Sequence, residues 1–240
     1  MTTLVVGASG ATGKQLVEQL VKMGEQVRVM VRSSSQIPDS WDNNDKITII
    51  KANISEIDVE EMANHIKDCQ GVASCLGHNL TFKGILGKPR KLVTNAVKLL
   101  CAAIMENSPE RPVRLVLMNT AGNRNRDTDK PLPIGHKLAI GLIRLLIPPQ
   151  RDNEEAADFL RLDIGQKNAS IEWVAVRPDT LINQDTVTEY EVFVSPTQSA
   201  LFHPGNTSRI NVGHFMAELM VEKDLWDQWK GKMPVIYNKP

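Results

Sequence analysis

Three glycines at three-residue intervals, Gly7, Gly10 and Gly13, lie between an apolar run and a segment of helical period at the start of the chain. A turn from a strand into a helix exposes backbone N–H groups and the positive end of the helix dipole, which together can bind an anion. Ser9 and Thr12 add hydroxyl donors to the same loop. We therefore expect residues 7–13 to bind a phosphate group.

Two kinds of phosphate ligand compete for this loop. A P-loop for nucleoside triphosphates requires GxxxxGK[ST], and Gly13-Lys14 matches part of that pattern. However, Ala8 stands where the first glycine is required, and Gln15 replaces the hydroxyl that would bind magnesium. The nucleoside triphosphate interpretation therefore fails at both ends of the motif.

A dinucleotide requires a second signal at the end of the second strand, about 20 residues further on. NAD-binding proteins have a carboxylate there, which binds the ribose hydroxyls. This chain has Arg32, followed by Ser33 and Ser34, in the stretch VRVMVRSSS. A guanidinium can bind a 2′-phosphate with two parallel hydrogen bonds, so the sequence predicts NADP(H) as the cofactor.

Short β-branched runs alternate with helical segments along most of the chain. We predict strands at Thr3–Val6, Gln26–Val31, Ile47–Ile50, Gly71–Cys75, Val113–Met118 and Ile171–Val176, and a short strand at Tyr190–Val194. Such alternation predicts an α/β fold: a single-domain Rossmann-type doubly wound parallel sheet over residues 1–240, with helices on both faces. The late loops and tail, residues 179–240, should form a small C-terminal extension that covers the substrate side.

Two late helices are predicted from the same patterns. They span Ile134–Ile147 and Asp152–Asn168, with Pro148-Pro149 between them. The first is more apolar than a surface helix requires, so it is expected to cover the active site or to form a homodimer interface. In the second, Asp152, Glu154, Glu155 and Asp158 are expected to form a solvated acidic face.

Composition excludes several classes of partner. Lys+Arg 28 against Asp+Glu 28 leaves no net charge, so nothing favours nucleic acid or an anionic membrane. The most apolar stretch, residues 138–147, is shorter than the ~20 residues of a membrane span. The three cysteines lack metal-ligand spacing and resemble reduced thiols, which favours a cytoplasmic protein with no metal site. The expected partner is a small-molecule substrate.

Several motifs carry a resemblance to a known family. GxxGxxG at 7–13, VRSS at 31–34 and VRPDTLI at 176–182 resemble the atypical short-chain dehydrogenases/reductases with an NAD(P)-binding, NmrA-like domain. CLGHNL at 75–80, followed by the helical segment VTNAVKLLCAAI, also resembles the flavin reductase/biliverdin reductase B proteins. The resemblance covers roughly residues 2–182 and is specific to the cofactor, since none of these motifs identifies a substrate.

The resemblance implies a Rossmann-type fold and a set of residues around the cofactor. It places Gly7, Ser9, Gly10, Ala11, Thr12 and Gly13 at the pyrophosphate, Arg32 and Ser33 at the 2′-phosphate, Asn53 and Ile54 beside the adenine, Leu76 and Gly77 along the cofactor, Asn119 and Thr120 by the nicotinamide ribose, and Pro178 and Thr180 near the nicotinamide amide.

The chain departs from the wider superfamily at its proton donor. The usual Tyr-x-x-x-Lys pair is absent: Tyr190 precedes Val194, Tyr237 lies next to the end, and Asn153 stands near the lysine's expected place. A flavin or quinone can accept a hydride without such a tyrosine, so we expect an NADP(H)-dependent reductase of a small conjugated acceptor. The alternative is a non-catalytic regulator that senses NADPH and NADP.

Two residues are candidates for catalysis. The hydroxyl of Thr120 can orient an acceptor carbonyl, or it can bond the local backbone at a strand end. His78 lies just past the fourth predicted strand, where it either acts on the substrate or faces solvent.

Overall fold

The computed structural model describes residues 1–78, 90–129, 148–199 and 203–239. Its strands are β1 (Thr2–Val6), β2 (Gln26–Val31), β3 (Ile47–Lys51), β4 (Gly71–Ser74), β5 (Val113–Met118), β6 (Ile171–Pro178), β7 (Thr180–Ile182), β8 (Tyr190–Phe193), β9 (Asn206–Ser208) and β10 (Val235–Asn238). The predicted strands are all present, and their ends lie within two residues of the predicted ones.

The helices in these ranges are α1 (Ala11–Lys22), α2 (Val59–Ile66), α3 (Leu92–Glu106), α4 (Pro148–Phe159), α5 (Arg209–Val221) and α6 (Lys223–Trp229). The second predicted helix, Asp152–Asn168, has different ends in the structure, because α4 begins at Pro148 and ends at Phe159. Proline has no N–H to lose in a first turn, and its φ suits a helix start. The predicted helix at 134–147, with its homodimer interface, lies outside the described residues.

In the part of the chain that the structure describes, eight strands form one sheet in the order β3-β2-β1-β4-β5-β6-β10-β8. The strands from β3 to β10 are parallel, and β8 pairs antiparallel with β10 at the edge. The first six have the classical doubly wound order, in which the connections reverse direction between β1 and β4. A ligand crevice is therefore expected outside the carboxyl ends of these two strands.

Alternate residues of the strands pack into two cores on opposite faces of the sheet. Leu4 and Val6 of β1 lie in the core under α2, α3 and α4, while Val5 lies in the core under α1 and α5. Trp226 and Trp229 of α6 are buried in the second core. Helices therefore cover both faces, which confirms the predicted fold class.

The region after β6 contains strands that the sequence did not indicate. β7 and β9 pair in a parallel two-stranded sheet, and β10 adds to the main sheet beside β6. β9 and β7 are only three residues long, which is too short for a periodic pattern to show.

The cysteines are buried and reduced, as expected. No disulfide links Cys69, Cys75 and Cys101. Burial raises the pKa of Cys69 to about 11 and that of Cys75 and of Cys101 to about 12. At neutral pH these thiols are therefore protonated and unreactive.

Among the described residues, no helix combines the length and the apolar character needed to cross a membrane.

A buried guanidinium joins the ends of three strands to the loop after β5. Arg177, on β6, donates to the carbonyls of Asn123 at 2.9 Å, Val194 at 3.0 Å and Met233 at 2.7 Å. It also forms two hydrogen bonds with the carboxylate of Asp129, at 2.6 and 3.2 Å. Because its donors reach three separate segments, Arg177 fixes the loop after β5 and the chain beside β8 and β10 relative to the sheet.

Replacing this guanidinium should be costly. Arg177→Met leaves the buried carboxylate of Asp129 without its cation, and we expect a loss of about 3–5 kcal/mol of unfolding free energy. Urea unfolding measures it, with Arg151→Met as the control. Arg151 forms an exposed pair with Glu155, whose removal should cost about 1 kcal/mol or less. Equal urea midpoints for the two variants would contradict a central role for Arg177.

Candidate functional site

The glycine loop at the end of β1 is held against the backbone that follows β4. Gly7 has φ +73°, and a β-carbon there would lie 2.7 Å from the carbonyl carbon of Cys75 and 2.8 Å from the nitrogen of Leu76. A β-carbon on Gly13 would lie 2.2 Å from the carbonyl oxygen of Gly7. Both glycines are therefore required by close backbone contacts inside the protein.

Gly10 differs from the other two, because its surface faces outward. It is exposed, and a β-carbon there would meet only the carbonyl oxygen of Gly7, at 3.2 Å. It is the N-cap of α1, no side chain caps this helix, and its first turn contains no acidic residue. Backbone N–H groups at the start of α1 therefore remain available to an anion.

Arg32 lies beside this loop with its guanidinium exposed. It has no ion pair or hydrogen bond from its side chain to any residue that the structure describes, and Ser33 is exposed next to it. The loop that follows β2 turns back through a bond from Ser35 N–H to the Arg32 carbonyl, at 2.8 Å. The Ser9 hydroxyl donates to the Ser35 hydroxyl at 3.3 Å, which ties this turn to the glycine loop.

The residues expected along the adenine and the middle of the cofactor occupy the ends of β3 and β4. Asn53 donates to Glu56 at 2.6 Å and Ile54 packs against the core, so both stabilise the turn after β3. Leu76 is half-buried against the same core, and Gly77 is exposed. These residues line the carboxyl edge of the sheet on either side of the glycine loop.

The residues expected at the nicotinamide follow β5 and β6, whose ends are tied together. The N–H of Ala121 donates to the carbonyl of Pro178 at 2.8 Å. Asn119 is buried, and its amide group donates to the Asn153 carbonyl at 2.9 Å. The Thr120 hydroxyl accepts from a backbone N–H at 3.2 Å, and Thr180 is exposed.

The expected solvated acidic face of α4 is wrong at two of its four residues. Asp152 is 1% exposed and Glu154 is 8% exposed. Glu155 and Asp158 are half-buried, and each forms an ion pair with an exposed basic side chain. The sequence pattern misled because α4 packs against α3, which turns one side of the acidic stretch inward.

Asp152 contacts the imidazole of His78, the residue for which the sequence left two interpretations open. The side chain of His78 is 6% exposed, so the solvent-facing interpretation of this residue is wrong. Its Nε2 lies 2.7 Å from Oδ2 of Asp152. The two residues are 74 positions apart, and only the packing of α4 beside the end of β4 brings them together.

One further polar group at this edge was missed. Asp179 lies between Pro178 and Thr180, and its Oδ2 accepts from the Gly205 N–H at 3.1 Å. Burial raises the pKa of this carboxyl, while hydrogen bonds from the backbone of Gly205 and Thr180 lower it in part. Its place in VRPDTLI at the end of β6 is the signal that could have identified it.

In the ranges that the structure describes, no three His, Cys, Asp or Glu side chains form a group that could hold a metal ion.

Comparison with solved structures finds the same fold. A short-chain dehydrogenase/reductase from Veillonella parvula in complex with NADP has a TM-score of 0.71 at 14% identity, over 100% of this chain and 94% of that one. ChuY, an anaerobilin reductase from Escherichia coli O157:H7, has 0.67 at 14%, and a candidate NADH-flavin reductase from Streptococcus pneumoniae has 0.64 at 17%. These last two matches cover 100% of both chains.

No curated protein matches the chain in sequence. A family model does: the model of NAD(P)H-binding proteins matches residues 7–223, which include the glycine loop, Arg32 and the carboxyl ends of the parallel strands β2 to β6. This match confirms the NAD(P)-binding character that the sequence motifs predict. The chain belongs to the NAD(P)H-binding family.

Proposed function

We propose that the chain is an NADP(H)-dependent oxidoreductase that reduces a small conjugated acceptor, such as a flavin or quinone. The observation that carries the cofactor half of this proposal is Arg32. Its exposed guanidinium has no partner among the described residues, and the Ser9–Ser35 bond keeps its turn beside the glycine loop. A free cation so close to a pyrophosphate loop favours a second phosphate on the adenosine ribose.

The residues at the carboxyl edge fit such a cofactor. Backbone N–H groups of residues 11–13 would bind the pyrophosphate, and Arg32 with Ser33 would bind the 2′-phosphate. The turn after β3 would contact the adenine, and the residues after β4, β5 and β6 would contact the path to the nicotinamide. The cofactor supplies a hydride when bound, so the chain has to position an acceptor and exclude water.

The acceptor half of the proposal rests on Thr120 and on the names of the structural relatives. The Thr120 hydroxyl accepts from the N–H of Gly122, so its own hydrogen is available to donate to an acceptor oxygen. A candidate NADH-flavin reductase and an anaerobilin reductase share the fold. Both names refer to extended conjugated molecules, which is the acceptor class we propose.

The alternative is a regulator that binds NADPH and NADP without turnover. One observation favours it: the side chain of Asn119 is used within the protein, since its oxygen accepts from Thr120 N–H and Asn123 and its amide donates to Asn153. A side chain whose hydrogen bonds are already formed with the protein holds the backbone in place but is a poor partner for a substrate.

Arg32→Ala tests the cofactor. Loss of a charged hydrogen-bond partner costs about 1.5–3 kcal/mol, so NADPH affinity should fall by roughly 10- to 100-fold. NADH affinity should change by less than about twofold, because NADH has no 2′-phosphate. Titration of each nucleotide by fluorescence or calorimetry gives both constants.

Arg111→Ala is the matched control, since Arg111 is exposed and precedes β5, at the opposite edge of the sheet. An equal loss of NADPH and NADH affinity in Arg32→Ala, or no loss, would refute the choice of NADP(H).

Turnover separates the reductase from the regulator. We expect wild-type protein to oxidise NADPH with at least one acceptor from a panel of flavins, quinones and conjugated carbonyl compounds. Thr120→Val should lower kcat by about tenfold or more while leaving NADPH affinity unchanged, because the hydroxyl acts on the acceptor. The absorbance of NADPH follows the reaction. Tight binding of both NADPH and NADP with no turnover on any acceptor would favour the regulator.

A further inference from the structure

The buried carboxylate of Asp152 is surrounded by hydrogen-bond donors. Its Oδ1 accepts from the N–H of Thr94 at 2.9 Å and lies 2.6 Å from the Thr94 hydroxyl. Its Oδ2 accepts from the N–H of Val93 at 2.8 Å and lies 2.7 Å from Nε2 of His78. A carboxylate that receives backbone donors on both oxygens is ionised and can only accept. The imidazole therefore carries a hydrogen on Nε2.

The other ring nitrogen of His78 has no such partner. Nδ1 forms no hydrogen bond with any residue in the ranges that the structure describes. The nearby cation Lys91 is paired with Glu155 at 2.6 Å, so it does not neutralise Asp152. When the imidazole is doubly protonated, Nε2–H stays on Asp152 and Nδ1–H is available to a bound molecule.

The surroundings of this pair connect it to the expected nicotinamide end. The residue next to Asp152, Asn153, accepts from Asn119 at 2.9 Å through its carbonyl. Asn119 precedes Thr120, at the end of β5, and His78 follows the end of β4. Because β4 and β5 are parallel neighbours, His78 and Thr120 lie at the carboxyl ends of adjacent strands, held by the same part of α4.

We propose that His78 is the proton donor of the reaction, positioned by Asp152, and that the substrate is a conjugated aldehyde or ketone. This inference rests on the proposed NADP(H)-dependent reductase function. The carbonyl carbon gains the hydride that NADPH supplies, its C=O π bond breaks, and the oxygen takes the Nδ1 proton of His78. Neutral His78 then regains a proton from water, so the overall change is carbonyl plus NADPH plus H⁺ to alcohol plus NADP⁺.

The acceptor class follows from what the proton is needed for. A quinone or flavin that accepts a hydride becomes a delocalised anion that is stable in water and needs no acid. An aldehyde or ketone becomes an alkoxide, which is a strong base, so a positioned acid accelerates its formation by about 10²- to 10⁴-fold. A buried, oriented imidazole is therefore useful for the carbonyl substrate and superfluous for the quinone.

His78→Gln tests this difference with two probes, cinnamaldehyde as the conjugated carbonyl and menadione as the quinone. We expect kcat with cinnamaldehyde to fall about 100-fold or more and kcat with menadione to change less than about threefold. NADPH affinity should stay unchanged.

His65→Gln is the matched control, because His65 lies on α2 in an exposed pair with Glu61 and touches no residue of the site. It should leave both rates within about twofold of wild type. Equal effects of His78→Gln on the two probes, or no effect on either, would refute the proton-donor role while leaving the reductase intact. Turnover of menadione but of no conjugated carbonyl would refute it too. Turnover of neither probe would contradict the reductase itself, and this inference with it.

A second measurement needs no activity. Nitrogen NMR of the histidine side chains in the cofactor-free protein should show neutral His78 with its hydrogen on Nε2, and Asp152→Asn should abolish that preference. Since Asp152 also binds the start of α3, Thr94→Val provides the comparison: it removes a hydroxyl from the same carboxylate and should reduce stability while the hydrogen of neutral His78 stays on Nε2. If Asp152→Asn does not fold, a hydrogen on Nδ1 in neutral wild-type His78 is sufficient to overturn the proposal.

Discussion

The contact between two backbones at the carboxyl edge determines the position of everything else there. Gly7 lies so close to Cys75 and Leu76 that no side chain fits between the end of β1 and the end of β4. The glycine loop is thereby fixed on one side of the reversal in strand order, and His78 on the other. A cofactor bound along this edge would pass between elements whose separation is set by main-chain atoms and not by flexible side chains.

The acceptor side is rigid for a different reason. Arg177 joins β6 to the loop after β5 and to the chain around β8 and β10 through hydrogen bonds that use its whole guanidinium. Asp179, two residues further on, accepts from the backbone N–H groups of Gly205 and Thr180, and burial raises its pKa. The end of β6 thus carries a guanidinium whose hydrogen bonds are all formed within the protein, next to a carboxyl group that can still bind a ligand.

Local patterns predicted most of the fold and one half of the site. The glycine spacing, the strand runs and Arg32 depend on residues near one another in sequence, so they were readable directly. The inward turn of Asp152, the burial of His78 and the strand at Val235–Asn238 depend on contacts across many residues. Periodicity carries no information about these contacts, and an acidic stretch looks the same whether it faces solvent or a helix start. The start of α4 was predicted at Asp152 and lies at Pro148, because proline fits the first turn of a helix as well as the segment before it.

The capping of the helices determines where an anion can bind along the carboxyl edge. The first amides of α3 are taken up by Asp152, those of α2 by Asp58, and those of α5 by Ser208. The start of α1 has no side-chain cap. Of these four helix starts, only that of α1 has N–H groups that no side chain caps, so its positive dipole end can bind a polyanion. The protein thus discourages a phosphate from binding at the starts of α2, α3 and α5, where its own side-chain oxygen atoms accept the free N–H groups.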